Sequence, residues 1–120
     1  MTKTHSDPTM RMNFVAAFAL LALIASAGAA RADDPELMLV IKNHRFQPAE
    51  LVVPAGQRIK LVVHNQDSTP EEFESHTLNR EKLIPAGAKA TLFIGPLKPG
   101  RYAFYGEYNE ATAKGTVIAR

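Results

Sequence analysis

Between residues 54 and 100 the chain is broken four times by clusters of turn-forming residues: Pro54-Ala55-Gly56, the run 65–70 (NQDSTP), Pro85-Ala86-Gly87 and Lys98-Pro99-Gly100. Proline pre-sets φ and glycine admits positive φ, so each cluster marks a reversal of direction. The segments between them are short and apolar or alternating. Ile59, Leu61 and Val63 fall on one side of such a segment and Lys60 and His64 on the other, the two-residue period of a half-buried strand. Segments 37–41, 50–53, 73–77, 90–94, 102–105 and 116–119 are further strand candidates. Seven short strands at this spacing predict an all-β sandwich or barrel. The loosest stretches are 66–84 and 106–115, and loops on a rigid β scaffold are where function is expected.

The N-terminal stretch reads differently. Residues 1–13 are polar and carry Lys3, His5 and Arg11, and residues 14–27 (FVAAFALLALIASA) form an unbroken apolar run. Ala30-Arg31-Ala32 then precedes Asp33. A charged start, a short apolar run and an Ala-x-Ala site predict a secretory signal peptide over 1–32, a periplasmic destination and one domain over 33–120. The apolar run is shorter than the roughly 20 residues a membrane-spanning helix needs, so no span is expected after cleavage. Met10 or Met12 would serve equally well as the start of such a leader. The remaining 88 residues carry eleven basic and eleven acidic side chains, and the net charge of +2 belongs to the leader. Zero net charge with no basic cluster argues against nucleic acid as a partner. The chain has no cysteine, which excludes a disulfide, a thiolate metal site and a thiol nucleophile. A domain of this size must then hold itself together by a well-packed sheet core.

The motifs of the 33–120 region follow one another in a telling order. Phe46-x-Pro48-x-x-Leu51-x-Val53-x-Ala55-Gly56 comes first, then the strand ending in Asn65, then Ile84-Pro85-Ala86-Gly87. Leu97-Lys98-Pro99-Gly100-Arg101-Tyr102-Ala103-Phe104 and Lys114-Gly115-Thr116-Val117 close the series. This order resembles the cupredoxin family over residues 36–120. The resemblance implies a Greek-key β-sandwich of seven to eight strands, cupredoxin-like in topology.

A blue-copper centre needs two imidazoles, a thiolate and a weak axial thioether. Where the resemblance places the first imidazole, the chain reads Thr69-Pro70-Glu71-Glu72-Phe73-Glu74. Gly106 falls at the thiolate position, Asn109 at the second imidazole and Ala113 near the thioether. A type 1 copper carrier is therefore excluded on chemistry. Carboxylates populate both loops instead: Glu71, Glu72 and Glu74 in the first, Glu107 and Glu110 beside Asn109 in the second. Cupredoxin topology would bring these loops together at one end of the sandwich, and oxygen donors suit hard ions such as ferric iron. The pattern Glu-Phe-Glu-Ser…Arg-Glu-Lys…Gly-Glu-Tyr…Thr-Ala-x-Gly resembles cupredoxin-like proteins of bacterial iron-uptake systems. These include the small cupredoxin partner of FTR-type iron permeases and the N-terminal cupredoxin domain of EfeO. The resemblance implies iron binding, with copper as a non-type-1 alternative. Its implied partners are an iron permease of the inner membrane and a periplasmic iron-binding protein.

The candidate metal ligands are Glu71, Glu72, Glu107, Asn109 and Glu110, with His76 at the rim and Glu81 of Arg80-Glu81-Lys82 held in reserve. Strand alternation limits the set. If Phe73 points inward, Glu71 and Ser75 share its side while Glu72, Glu74 and His76 share the other, so not all these acids reach one ion. Each acid has an ordinary alternative as a solvated charge, since charged residues are mostly exposed. No hydrolase triad, phosphate-binding glycine loop or dinucleotide signature is present, so no stand-alone enzyme is expected. The chemistry left is metal-assisted ferrous oxidation as an accessory to a partner. The competing class is a metal-free adaptor whose acidic loops are recognition surface.

Overall fold

The computed structural model describes residues 34–120, and the expected leader, 1–32, lies outside the described residues. Nine strands are present among these residues: β1 (Glu36–Lys42), β2 (Arg45–Gln47), β3 (Glu50–Val53), β4 (Ile59–Asn65), β5 (Glu71–Ser75), β6 (Arg80–Ile84), β7 (Lys89–Ile94), β8 (Gly100–Gly106) and β9 (Lys114–Ala119). A 3-10 turn, Glu107–Asn109, follows β8. The strands form two sheets, ordered β2-β1-β4-β7 and β3-β9-β8-β5-β6. β1 runs parallel to β4 and β3 parallel to β9, and the remaining pairs are antiparallel. This is the cupredoxin-like sandwich that the turn spacing and motif order imply.

Two strands go beyond the seven marked by apolar pattern. β2 is only three residues long. β6 reads REKLI and is exposed at four of its five positions, so it carries no hydrophobic signal. It forms at the sheet edge by pairing with β5, in register Glu71↔Ile84 through Ser75↔Arg80. The stretch 66–84, read as loose in the sequence, is therefore mostly a hairpin.

Alternation builds the core. Leu39, Ile41, Ile59, Leu61, Val63, Leu92 and Ile94 face inward from one sheet, and Val53, Phe73, Ile84, Phe104 and Val117 from the other. Phe104 stacks on Phe73 with centroids 5.1 Å apart and meets Phe46 edge to face at 4.9 Å. Such pairs add about 0.5–1.5 kcal/mol each beyond burial. Gly115, opposite Phe104 across β8 and β9, leaves the room that ring needs, because a Cβ there would run into it.

One end of the sandwich is pinned by two polar residues. Asn65 is fully buried, and its Nδ2 donates to the carbonyls of Thr69 (2.9 Å) and Ile84 (3.1 Å) while its Oδ1 accepts from Asp67 N–H (3.0 Å). The β1–β2 turn places Asn43 and His44 at φ 54° and 56°, the left-handed region favoured by Asn and Gly in two-residue hairpins. The Asp67 carboxylate holds that turn by accepting from the N–H groups of Asn43 (2.7 Å) and His44 (2.9 Å). Thr112, just before β9, donates to the His44 carbonyl at 2.6 Å.

Candidate metal centre

β5 carries three glutamates in five residues and divides them between its faces. Glu71, Phe73 and Ser75 are buried, while Glu72 and Glu74 stand half-buried on the outer face of the five-stranded sheet. Ser75 ties the inner side to its neighbours, with Oγ donating to the Ala103 carbonyl at 2.7 Å and accepting from Leu78 N–H at 3.2 Å.

On the inner face Gly106, Asn109 and Ala113, the positions that the resemblance assigns to three of the copper ligands, come together with Glu71 from the region assigned to the first imidazole, with different chemistry. Glu71 is 1% exposed, and its Oε1 accepts from the N–H groups of Glu72 (3.0 Å) and Tyr108 (2.9 Å). Its Oε2 accepts from Asn109 Nδ2 at 2.7 Å. A Cβ on Gly106 would lie 2.5 Å from Glu71 Cδ and 2.8 Å from the Ala113 Cβ. A carboxylate thus fills the space beside Gly106, Asn109 and Ala113, and its oxygens are already engaged by three donors. Thiolate, imidazole and thioether are all missing, and the room is taken, so a type 1 copper ion does not fit there.

On the outer face a different group of acids gathers. One carboxylate oxygen from each of Glu72, Glu74, Glu81 and Glu107 lies within 4.8 Å of the others. Glu81 sits directly opposite Glu74 in the β5–β6 hairpin, and Glu107 opens the 3-10 turn beyond β8. Like charges directly opposite across strands are destabilising. Glu74 adds to the imbalance: its Oε2 is shut from solvent and receives no hydrogen bond. A hydrogen bond with Glu72, helped by the charges of Glu74 and Glu72, pushes the Glu81 pKa up from 4.5 to about 7. Glu107 is raised as well, chiefly by the Glu72 charge and then by burial. Burial comes first for Tyr105 and Tyr108, whose phenols are pushed upward with the surrounding carboxylates adding to the effect. The cluster is a local excess of negative charge with no cationic side chain among its four members.

The sequence-derived candidates therefore separate. Glu72 and Glu107 stand in the outer cluster, and Glu81, held in reserve, joins them. Glu74 completes the four; the alternation of β5 placed it beside Glu72, but only the unmarked strand β6 brings Glu81 opposite it. Glu71 and Asn109 meet each other on the buried side instead. Glu110 is outside the four and lines an open groove of about 590 Å³ with Ala103, Tyr105 and Lys114. His76 follows β5 and its Nε2 lies 3.0 Å from the Tyr105 hydroxyl, at the side of a pocket of about 280 Å³ that Glu74 and Glu81 also line. The larger groove is lined by Glu50 and Glu110 but by none of the four grouped glutamates, so the chemistry points to the smaller pocket and the face beside it.

Comparison with known proteins gives a consistent fold. The chain is 42% identical over 83 residues to an uncharacterized protein of Rickettsia prowazekii, a match covering 69% of this chain and 66% of that relative. Among solved structures it is similar to the metal-binding domain of the Streptococcus pneumoniae Cu(I)-exporting P-type ATPase CopA, with a TM-score of 0.66, 13% identity and coverage of 77% and 91% of the two chains. Auracyanin A, a blue copper protein of Chloroflexus aurantiacus, gives a TM-score of 0.64 at 11% identity, covering 73% of this chain and all of the other. At these identities the likeness is one of fold. Residues 14–119 match the sequence model of the cupredoxin-like domain, and the chain belongs to that family.

Proposed function

We propose that this protein is an exported, non-blue member of its family that binds a hard cation as cargo, iron in the first instance, through Glu72, Glu74, Glu81 and Glu107. The observation that carries the reading is the convergence of four carboxylates, one with an oxygen shut from water and lacking any donor. Such an arrangement is unfavourable for the empty chain and is relieved when a cation is shared among the acids. Hard oxygen donors select hard ions, whereas copper(I) favours thiolate and thioether sulfur; the chain has no cysteine, and the four converging residues are all glutamates. The choice of iron rests on the resemblance to cupredoxin-like proteins of iron uptake. In that setting the protein would hand iron to a permease of the inner membrane and receive it from, or share it with, a periplasmic iron-binding protein. Its part in any ferrous oxidation would be accessory, with the electron acceptor supplied by a partner.

A second reading, the metal-free adaptor, draws on Leu83 and Tyr108, which are 52% and 51% exposed near the acidic face. Leu83 stands opposite Glu72, and Tyr108 follows Glu107. One titration separates the two. Calorimetry of the metal-free protein with ferric citrate and with cupric salts should give saturable iron binding that Glu74→Gln and Glu107→Gln each weaken. No saturable binding, or binding untouched by both substitutions, defeats the cation reading and leaves the adaptor.

A further inference from the structure

The buried Glu71 carboxylate is not isolated from the outer cluster. Its Oε1 accepts from the backbone N–H of Glu72, which is itself a cluster residue, and from that of Tyr108, the neighbour of Glu107. Its Oε2 takes the Asn109 amide two residues beyond Glu107. One side chain therefore joins the start of β5 to the 3-10 turn. Gly106 stands at φ −92° and ψ 115°, an extended conformation open to any residue, so nothing in its backbone requires glycine. What requires it is space, because a Cβ would come within 2.7 Å of Glu71 Oε2.

We infer that Glu71 is a positioning residue for the cation site: its carboxylate, packed against Gly106, cross-links the start of β5 to the 3-10 turn and so fixes Glu72 and Glu107 beside each other on the opposite face of the sheet. This rests on the reading of the four outer glutamates as a cation site. Two like-charged side chains on separate segments drift apart unless the backbone beneath them is held. Hydrogen bonds to an ionised acceptor are the strong class, and three of them meet at Glu71. Partners that orient ligands commonly change metal affinity about ten- to a hundredfold when removed.

The test compares variants that alter the clamp with and without altering charge. Gly106→Ala keeps Glu71 and all four outer glutamates but displaces the buried carboxylate. Glu71→Gln loses the charge yet keeps the contacts, since an amide oxygen accepts both N–H groups and its NH2 donates to a turned Asn109 amide. Glu71→Met loses charge and contacts together. Calorimetric titration with ferric citrate, run well below each melting temperature, should show Gly106→Ala and Glu71→Met weakened about tenfold or more. Glu71→Gln, which keeps the contacts and loses only the charge, should be weakened less than either of these. Asn109→Ala trims one arm without a clash and should weaken binding a few-fold, which keeps the inference testable if the bulkier variants do not fold. Parent-like affinity in the folded Gly106→Ala, Glu71→Met or Asn109→Ala proteins, with only their melting temperatures lowered, overturns the inference and leaves the cation site standing. No iron binding by the parent protein overturns the cation site and the inference with it.

Discussion

The two faces of β5 carry the same residue type to opposite ends. On the inner face Glu71 is buried, and backbone N–H groups and an amide complete its hydrogen bonds. On the outer face Glu72 and Glu74 are half-exposed, and their nearest polar neighbours include Glu81 and Glu107. Burial alone would make the first pair of oxygens costly and the second cheap. Donors reverse that order, because a buried carboxylate with three donors is stable while crowded carboxylates without a cation are not. The difference separates the structural acid from the binding acids on a single strand.

The largest effect is expected at Glu71. Glu71→Ala removes three charge-assisted bonds and strands the Tyr108 N–H, at a cost of about 3 kcal/mol. Denaturant unfolding reads this directly, and a loss below about 1 kcal/mol would mean that the inner acid is no clamp. Ser75→Ala, on the same inner side, should cost about 1–2 kcal/mol through its bonds to Ala103 and Leu78. Crossing to the outer face should change the sign. Glu74→Gln relieves the opposition to Glu81 and should stabilise the metal-free protein by about 0.5 kcal/mol in the same assay. Destabilisation there would erase the contrast between the faces.

The smallest effect is a pH slope. Glu81 has its folded pKa raised from 4.5 to about 7, so between those values the folded chain keeps a proton that the unfolded chain has released. The metal-free protein should therefore lose stability as pH rises from about 4.5 to about 7 and flatten above it, with Glu107 acting in the same direction. Thermal melts across that range check the slope, and Glu81→Gln should reduce it. A slope of the opposite sign in the metal-free protein would place the relevant protons elsewhere.

Much of the sandwich is written in local sequence. The Pro/Gly clusters fix the reversals, and the alternation of residues such as Ile59, Leu61 and Val63 fixes which side is buried. β6 is not legible that way, because an edge strand of REKLI forms by pairing with β5 rather than by covering core. The β1–β2 turn is equally hidden, since its left-handed residues are Asn43 and His44 and its support comes from Asp67, more than twenty residues away. The candidate site was half legible. Alternation in β5 separates Glu71 from Glu72 and Glu74, but the acid that completes the outer group, Glu81, is placed by the hairpin register of a strand with no hydrophobic pattern. The buried role of Glu71 depends on Gly106 and the turn 107–109, contacts that no local spacing encodes.

The most direct measurement is an anomalous difference map at the iron absorption edge, from crystals of the 33–120 domain equilibrated with ferric citrate. A peak bounded by Glu72, Glu74, Glu81 and Glu107 is expected, with Glu71 still hydrogen-bonded to Asn109 beneath it. A peak seated between Glu71, Asn109 and Ala113, or no ordered iron at either place, would contradict that expectation.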